Sequence, residues 1–291
     1  MRRSLLLGPK IVPTEPVEID WSHPLAQRLQ SYWLLGTDAL DLTKFGLNAT
    51  NAGGVAPVAG QFGPNFSFNG SSQYLATPAV SRGYASGTVT WRQNPNVAYN
   101  SGTIRGLCGT QPGILAVQVY NDNNWYVGWN YSGDQRVVLA ASPSNWLPGV
   151  ITHYALTWGA DGSKFYCNGT LIGSNSAAPN IDPNSAQWLI GTYYSAPLLT
   201  LFPGAMGTHG IYSAEFSADL IAWLAAEPLA MLRPKMRRRW YAASTAPPPP
   251  SLRPDRIAAA RLRARIAAAT ADRRTAAARP RIRTAAAAPR E

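Results

Sequence analysis

The stretch His153-Tyr154-Ala155-Leu156-Thr157-Trp158-Gly159-Ala160-Asp161-Gly162-Ser163-Lys164-Phe165-Tyr166-Cys167-Asn168-Gly169 decides the fold. β-branched and aromatic residues crowd both sides of Asp161-Gly162, and Asn168-Gly169 follows one short segment later. Asp-Gly and Asn-Gly supply the positive-φ positions of tight hairpins, so residues 163–167 form the middle strand of two consecutive hairpins. Tyr166 and Cys167 then point to opposite faces of a sheet, and at least one of them belongs to a core.

Outward from this stretch the same pattern recurs. Strands are predicted over 31–35, 65–69, 88–92, 104–108, 115–120, 125–129, 136–140, 151–158, 164–168, 187–191 and 206–212, with turn signals at Asn69-Gly70 and Ser132-Gly133-Asp134. Many short strands at close spacing give an all-β sandwich or jelly roll. One short helix is predicted after them. Ser217 caps it, Asp219 sits in its first turn, Leu220, Ile221 and Leu224 give it an apolar face, and Pro228 marks its end.

Charge divides the chain. Residues 1–230 carry 10 Lys/Arg against 12 Asp/Glu, whereas residues 231–291 carry 16 against 3. The net charge of +11 therefore belongs to a tail, which calls for an acidic partner, either nucleic acid or an acidic protein surface. Pro13, Pro16 and Pro24 break regular structure near the start, so residues 1–28 read as an extended N-terminal arm. The sandwich is placed at 29–232. A basic and polyproline linker follows at 233–252, and an Ala/Arg-rich C-terminal arm at 253–291. This arm has too thin an apolar stripe to fold alone and is expected to order only against a partner. The three-leucine run after Arg2-Arg3 is too short for a secretory signal or a membrane span. Cys108 and Cys167 have no metal-ligand spacing and are expected to be buried free thiols.

Four segments taken in order, residues 62–75, 153–162, 164–173 and 203–212 with the helix after it, resemble laminin-G/concanavalin A-like domains. The resemblance implies a concanavalin A-like jelly-roll sandwich. Residues 17–25 resemble the opening of such domains encoded in phages and prophages, and residues 232–241 the basic segment that closes them. The flanks imply a virion structural protein, a capsid decoration or a head or tail fibre, assembled in the host cytoplasm with no signal peptide. In one place the chain departs from the pattern: Gly207-Thr208-His209 stands where the family carries an acidic residue, which removes the basis for a family-type metal or salt-bridge role there.

Catalysis finds little support in the residues. A retaining glycosidase needs two carboxylates about 5–5.5 Å apart, hence acids at i and i+2 or i+4 on one strand face. Asp38, Asp41, Asp122, Asp134, Asp161 and Asp182 never meet that spacing inside a strand. Glu18 and Asp20 do, but they lie in the proline-broken arm and read as solvated or salt-bridged residues. His153 opens a strand and reads as a packed or rim residue. No nucleophile elbow, P-loop or metal cluster is present, and no cofactor is expected. A calcium site built from scattered oxygens stays open because it leaves little sequence signal.

Aromatic residues are the better lead, because sugars lay their apolar faces on aromatic rings while amides fix the hydroxyls. Trp125, Trp129, Asn130 and Tyr131 are the first candidates for carbohydrate binding; Trp125, Val127, Trp129 and Tyr131 share one strand face, which is equally a candidate core face. Tyr193 and Tyr194 are the second, with an inter-subunit contact as the alternative. Arg233, Lys235, Arg237, Arg238, Arg239, Arg261, Arg263 and Arg265 are candidates for anchoring on a capsid or tail protein, with packaged nucleic acid second. The expectation is therefore a non-enzymatic, lectin-like display protein that binds host surface glycans, forms a homo-oligomer and avoids membranes. Two alternatives are a virion polysaccharide-degrading enzyme and a purely architectural capsid-cementing protein.

Overall fold

The computed structural model describes residues 16–36, 38–60, 63–79, 85–99, 104–111, 115–120, 122, 124–129, 135–141, 145–176, 187–193 and 201–235. β1 (Val17–Ile19) and a 3-10 turn (Pro24–Ala26) precede β2 (Leu29–Leu34). Next come β3 (Thr50–Ala52), β4 (Ala56–Gly60), β5 (Gly63–Asn69) and β6 (Tyr74–Ala76). The middle of the chain forms β7 (Gly87–Pro95), β8 (Arg105–Gln111), β9 (Leu115–Val119), β10 (Asn124–Trp129) and β11 (Gln135–Ala141). β12 (Thr152–Gly159), β13 (Gly162–Cys167), β14 (Thr170–Asn175), β15 (Gln187–Ile190) and β16 (Pro203–Tyr212) lead to α1 (Ala218–Ala226) and β17 (Leu232–Pro234).

Beside a two-stranded sheet of β1 and β17, two large antiparallel sheets form the sandwich. One has eight strands, in the order β14-β13-β12-β7-β16-β5-β4 with β2 also on β16; the other has seven, in the order β11-β10-β9-β8-β15-β6-β3. This is the expected concanavalin A-like jelly roll. Both hairpins of the deciding stretch are present. Gly162 and Gly169 have φ of 96° and 83°, and β13 pairs with β12 on one side and β14 on the other.

Strand parity builds two cores. Trp91, Tyr154, Phe165 and Cys167 face the inside of the sandwich, where Trp91 and Tyr154 stack at 5.6 Å and Tyr154 and Phe165 at 5.7 Å. Tyr32, Ala155, Tyr166 and Tyr212 face the other way, onto a second core built with Ile19, Leu25, Ile221, Leu224 and Met231. Tyr166 and Cys167 are therefore both buried, each in a different core. Both cysteines are free and buried, as expected.

Helix α1 closes the second core. The Ser217 hydroxyl accepts from the Leu220 N–H, and Ile221 and Leu224 are its buried residues. The helix lies over the turn after β13: a Cβ on Gly169 would sit 2.9 Å from Ala222 Cα, so glycine is needed there for contact as well as for φ. Among the described residues no helix is long and apolar enough to cross a membrane.

Residues 16–28 are not an arm. β1 pairs with β17, Ile19 is 2% exposed, and Leu25 and Ala26 are buried. Pro16 accepts a hydrogen bond from Lys235 N–H through its carbonyl, and Pro24 opens the 3-10 turn, where a missing N–H costs nothing. The compact unit ends at Met236, four residues past the expected boundary, and Arg237–Glu291 form a separate unit.

Candidate functional site

β9 and β10 set the geometry of the outer face of the seven-stranded sheet. Val117, Val119, Trp125 and Val127 point into the core, so Gln118, Tyr120 and Tyr126 point out. Register places Tyr126 beside Gln118 and Gln118 beside Gly106; the next row runs Gly128, Ala116, Gly109. The floor is thus made of small residues flanked by tyrosines. Tyr193 lies against it, since a Cβ on Gly109 would come 2.9 Å from Tyr193 Cβ.

The turn between these strands joins the aromatic pair to polar groups. Tyr120 and Tyr126 meet edge to face at 5.5 Å, and both are half-buried. Asp122, exposed in the turn, accepts from the Asn124 N–H at 3.1 Å and from the Tyr126 hydroxyl. Its partial burial works to raise the carboxyl pKa, but the hydrogen bonds from Tyr126 and Asn124 outweigh this and hold it below the ordinary carboxylate value. In the floor, Gln118 is 2% exposed and its Oε1 has no hydrogen-bond partner. An edge-to-face pair of half-buried rings and a fixed, exposed carboxylate suit the face and hydroxyls of a sugar, above a floor that is itself buried.

The structure corrects one predicted platform residue. Trp125 is 1% exposed and bridges the two sheets, with its ring 5.1 Å from Tyr154 and 5.0 Å from Phe165. It is core because its strand face meets the aromatic stack of the other sheet. Trp129 lies on the same strand, with its side chain outside the described residues, as are Asn130, Tyr131 and Tyr194. Of the predicted platform only Tyr193 is described on the outer face. Tyr120, Asp122, Asn124 and Tyr126 were missed, although the inward parity of Trp125 and Val127 dictates the outward parity of Tyr126.

Four of the described acids hold structure together. Glu18 and Asp20 pair with Arg233 at 2.9 and 3.8 Å, which matches the salt-bridged reading of that acid pair. Glu215 pairs with Lys164 at 2.7 Å. Asp41 accepts from the N–H groups of Tyr32, Thr43 and Leu47 and from the Thr43 hydroxyl. His153 and His209 are buried and kept neutral, their pKa values pushed down to about 3 by burial and, for His153, also by the Arg92 charge. No cluster of three metal-binding side chains occurs among the described residues. Of the predicted anchor residues, Arg233 and Lys235 sit at the β1–β17 pair; Arg237, Arg238, Arg239, Arg261, Arg263 and Arg265 lie outside the described residues.

Two antiparallel sheets packed on a shared core, with a helix closing the outer face of one, define a jelly-roll module of lectin type. The chain belongs to the concanavalin A-like lectin/glucanases superfamily, whose family model matches residues 69–222. Among solved structures it is similar to domain 4 of AbnA, a GH43 extracellular arabinanase from Geobacillus stearothermophilus in complex with arabinotriose. The TM-score is 0.55 at 17% identity, covering 68% of this chain and 98% of that one. The binding domain of botulinum neurotoxin DC in complex with SialylT gives 0.55 at 11% identity, and that of Paraclostridial mosquitocidal protein 1 gives 0.53 at 18%. For each toxin domain the match covers 69% of this chain and 52% of the other, so the chain spans about half of each. At these identities the likeness shows the fold alone. No curated relative matches the chain.

Proposed function

We propose that this chain is a glycan-binding module, displayed on a bacteriophage particle and anchored through its basic C-terminal arm. The observation that carries the binding role is the Tyr120–Tyr126 pair, fixed to Asp122 beside a floor of small residues on the outer face of the seven-stranded sheet. Two structures of the same fold, solved with arabinotriose and with SialylT, agree with a carbohydrate ligand for such a module. The commitment of Glu18, Asp20, Asp41 and Glu215 to ion pairs and turns supports a reading of binding rather than hydrolysis.

Display rests on where the chain ends leave the fold. β1 and β17 lie side by side over the second core, on the outer face of the eight-stranded sheet. Pro16 and Lys235, the first and last described residues, are thus hydrogen-bonded neighbours on the face opposite the tyrosines. The charge of residues 231–291 suits an acidic capsid or tail protein, with packaged nucleic acid as the other acidic surface. The flanks of the sandwich resemble those of phage-encoded domains, which favours a virion.

A glycan array probed with the full chain and with a Tyr120→Ala/Tyr126→Ala double variant tests the binding role. The wild type is expected to retain a defined set of glycans and the variant to lose it. A blank array with the wild type removes the glycan-binding reading and leaves an architectural protein.

A further inference from the structure

Residues 45–81 contain no Asp, Glu, Lys, Arg or His. A chain with 14% charged residues would place about five charges in a stretch of that length, and charge is one of the features, with proline, that protect sheet edges from pairing. This segment supplies β3, β4, β5 and β6, and among the described strands β3 ends one sheet and β4 the other. The edge strands β3 and β4 therefore carry no charged side chain of their own. Ala56, Pro57, Val58 and Ala59 are exposed along β4, and the β4–β5 hairpin lines a shallow groove of about 430 Å³ with Pro57, Val58, Ala59, Gly60, Gly63 and Pro64.

We infer that the β4 edge is an interface with a second copy of the chain, formed by antiparallel pairing of two β4 strands about a two-fold axis at Val58. The backbone fixes the register. Pro57 faces Phe66 and Ala59 faces Pro64, and a proline has no N–H to exchange, so these are the non-hydrogen-bonded pairs of the hairpin. Val58 turns its backbone groups inward to Asn65, while the Pro57 C=O and the Ala59 N–H and C=O point outward. With the axis at Val58, each Ala59 N–H donates to the Pro57 C=O of the other copy. Every outward N–H of residues 57–59 is then used, and the two Val58 side chains, 36% exposed in the single chain, cover each other. The β4 strand offers a charged partner no ion pair, whereas an identical uncharged strand matches it group for group. Strand pairing alone falls short of the ~800 Å² per partner typical of a stable interface, and the inferred contact therefore extends to exposed residues such as Thr50 and Asn51 of β3, the edge strand of the other sheet.

Disulfide trapping tests this independently of any glycan. A non-hydrogen-bonded antiparallel pair sets Cα atoms about 4.5 Å apart, within disulfide reach. Val58→Cys is expected to give a reducible covalent dimer on mild oxidation, well ahead of Val150→Cys, an exposed position on another loop. Cys108 and Cys167 are buried and leave the background clean. In sedimentation velocity the full-length wild type is expected to self-associate, and Val58→Lys to weaken that association about tenfold or more while keeping its melting temperature. A monomeric wild type, an association untouched by Val58→Lys, or trapping no faster than at Val150 overturns the proposal. Trapping of another protein by the Val58→Cys thiol overturns it in favour of that occupant.

Discussion

Trp188 donates its indole N–H to Nε2 of His209 across 2.8 Å, joining the seven-stranded sheet to the eight-stranded one through the core. The bond fixes His209 as the neutral ring with its proton on Nδ1. His209 also packs against Trp33 and Trp188, each at 5.8 Å. An internal acceptor on β16 thus pins the two sheets together.

Acid should therefore loosen the sandwich. His209 and His153 titrate near 6.5 when unfolded and near 3 in the fold, so between those values the unfolded chain binds more protons. Their contribution is complete above about pH 6.5 and is lost as pH falls towards 3. In that window each histidine makes stability fall by up to about 1.4 kcal/mol per pH unit. Urea unfolding between pH 6.5 and 5, where carboxylates stay ionised, reads this slope. His209→Gln, which keeps an acceptor for Trp188, should show a clearly shallower slope; an unchanged slope removes His209 from the account.

Much of this core was legible because local chemistry and global packing agree. Asp161-Gly162 and Asn168-Gly169 impose hairpins wherever they sit between strands, and Ser217 caps the helix it was expected to cap. The failures are also physical. β4 reads Ala-Pro-Val-Ala-Gly, with little strand propensity, and is a strand only because β5 pairs with it. β1 and β17 have three residues each and depend on a partner about 215 positions away. Trp125 and Tyr126 are neighbours on β10 and so take opposite faces of one strand. Which face is core depends on Tyr154 and Phe165 in the other sheet, and no property of the segment itself encodes that.

Asp41 should be among the most sensitive acids in the fold. Its carboxylate is buried and takes four hydrogen bonds that shape the loop after β2. Asp41→Ala strands those donors and should cost about 3 kcal/mol or more in chemical denaturation, whereas Asp41→Asn, which keeps one acceptor, should cost about half as much.

The β1–β17 pair separates packing from charge. Ile19→Ala empties a site in the second core and should cost about 2–4 kcal/mol. Arg233→Ala breaks the contacts with Glu18 and Asp20, but Arg233 is 55% exposed, and the change should cost under about 1 kcal/mol. Equal losses would mean that the strand pairing, not Ile19, holds this segment.

The anchoring role predicts a clean truncation result. Full-length protein should co-sediment with particles lacking it, increasingly weakly as salt rises, while a chain ending at Met236 should stay in the supernatant with its melting temperature intact. Equal binding by both chains means that the sandwich itself holds the particle.

The central claim is that the Tyr120–Tyr126 pair binds a sugar. Calorimetric titration of the best array glycan into the wild type, Tyr126→Ala and Trp21→Ala tests it most directly. Trp21 is 46% exposed, in the turn after β1, on the side where the chain ends leave the fold. Loss of a stacked ring should weaken binding by about 1–2 kcal/mol or more, a roughly ten-fold or greater rise in Kd for Tyr126→Ala, with Trp21→Ala unchanged. Wild-type affinity in Tyr126→Ala would contradict the assignment of this face as the glycan site.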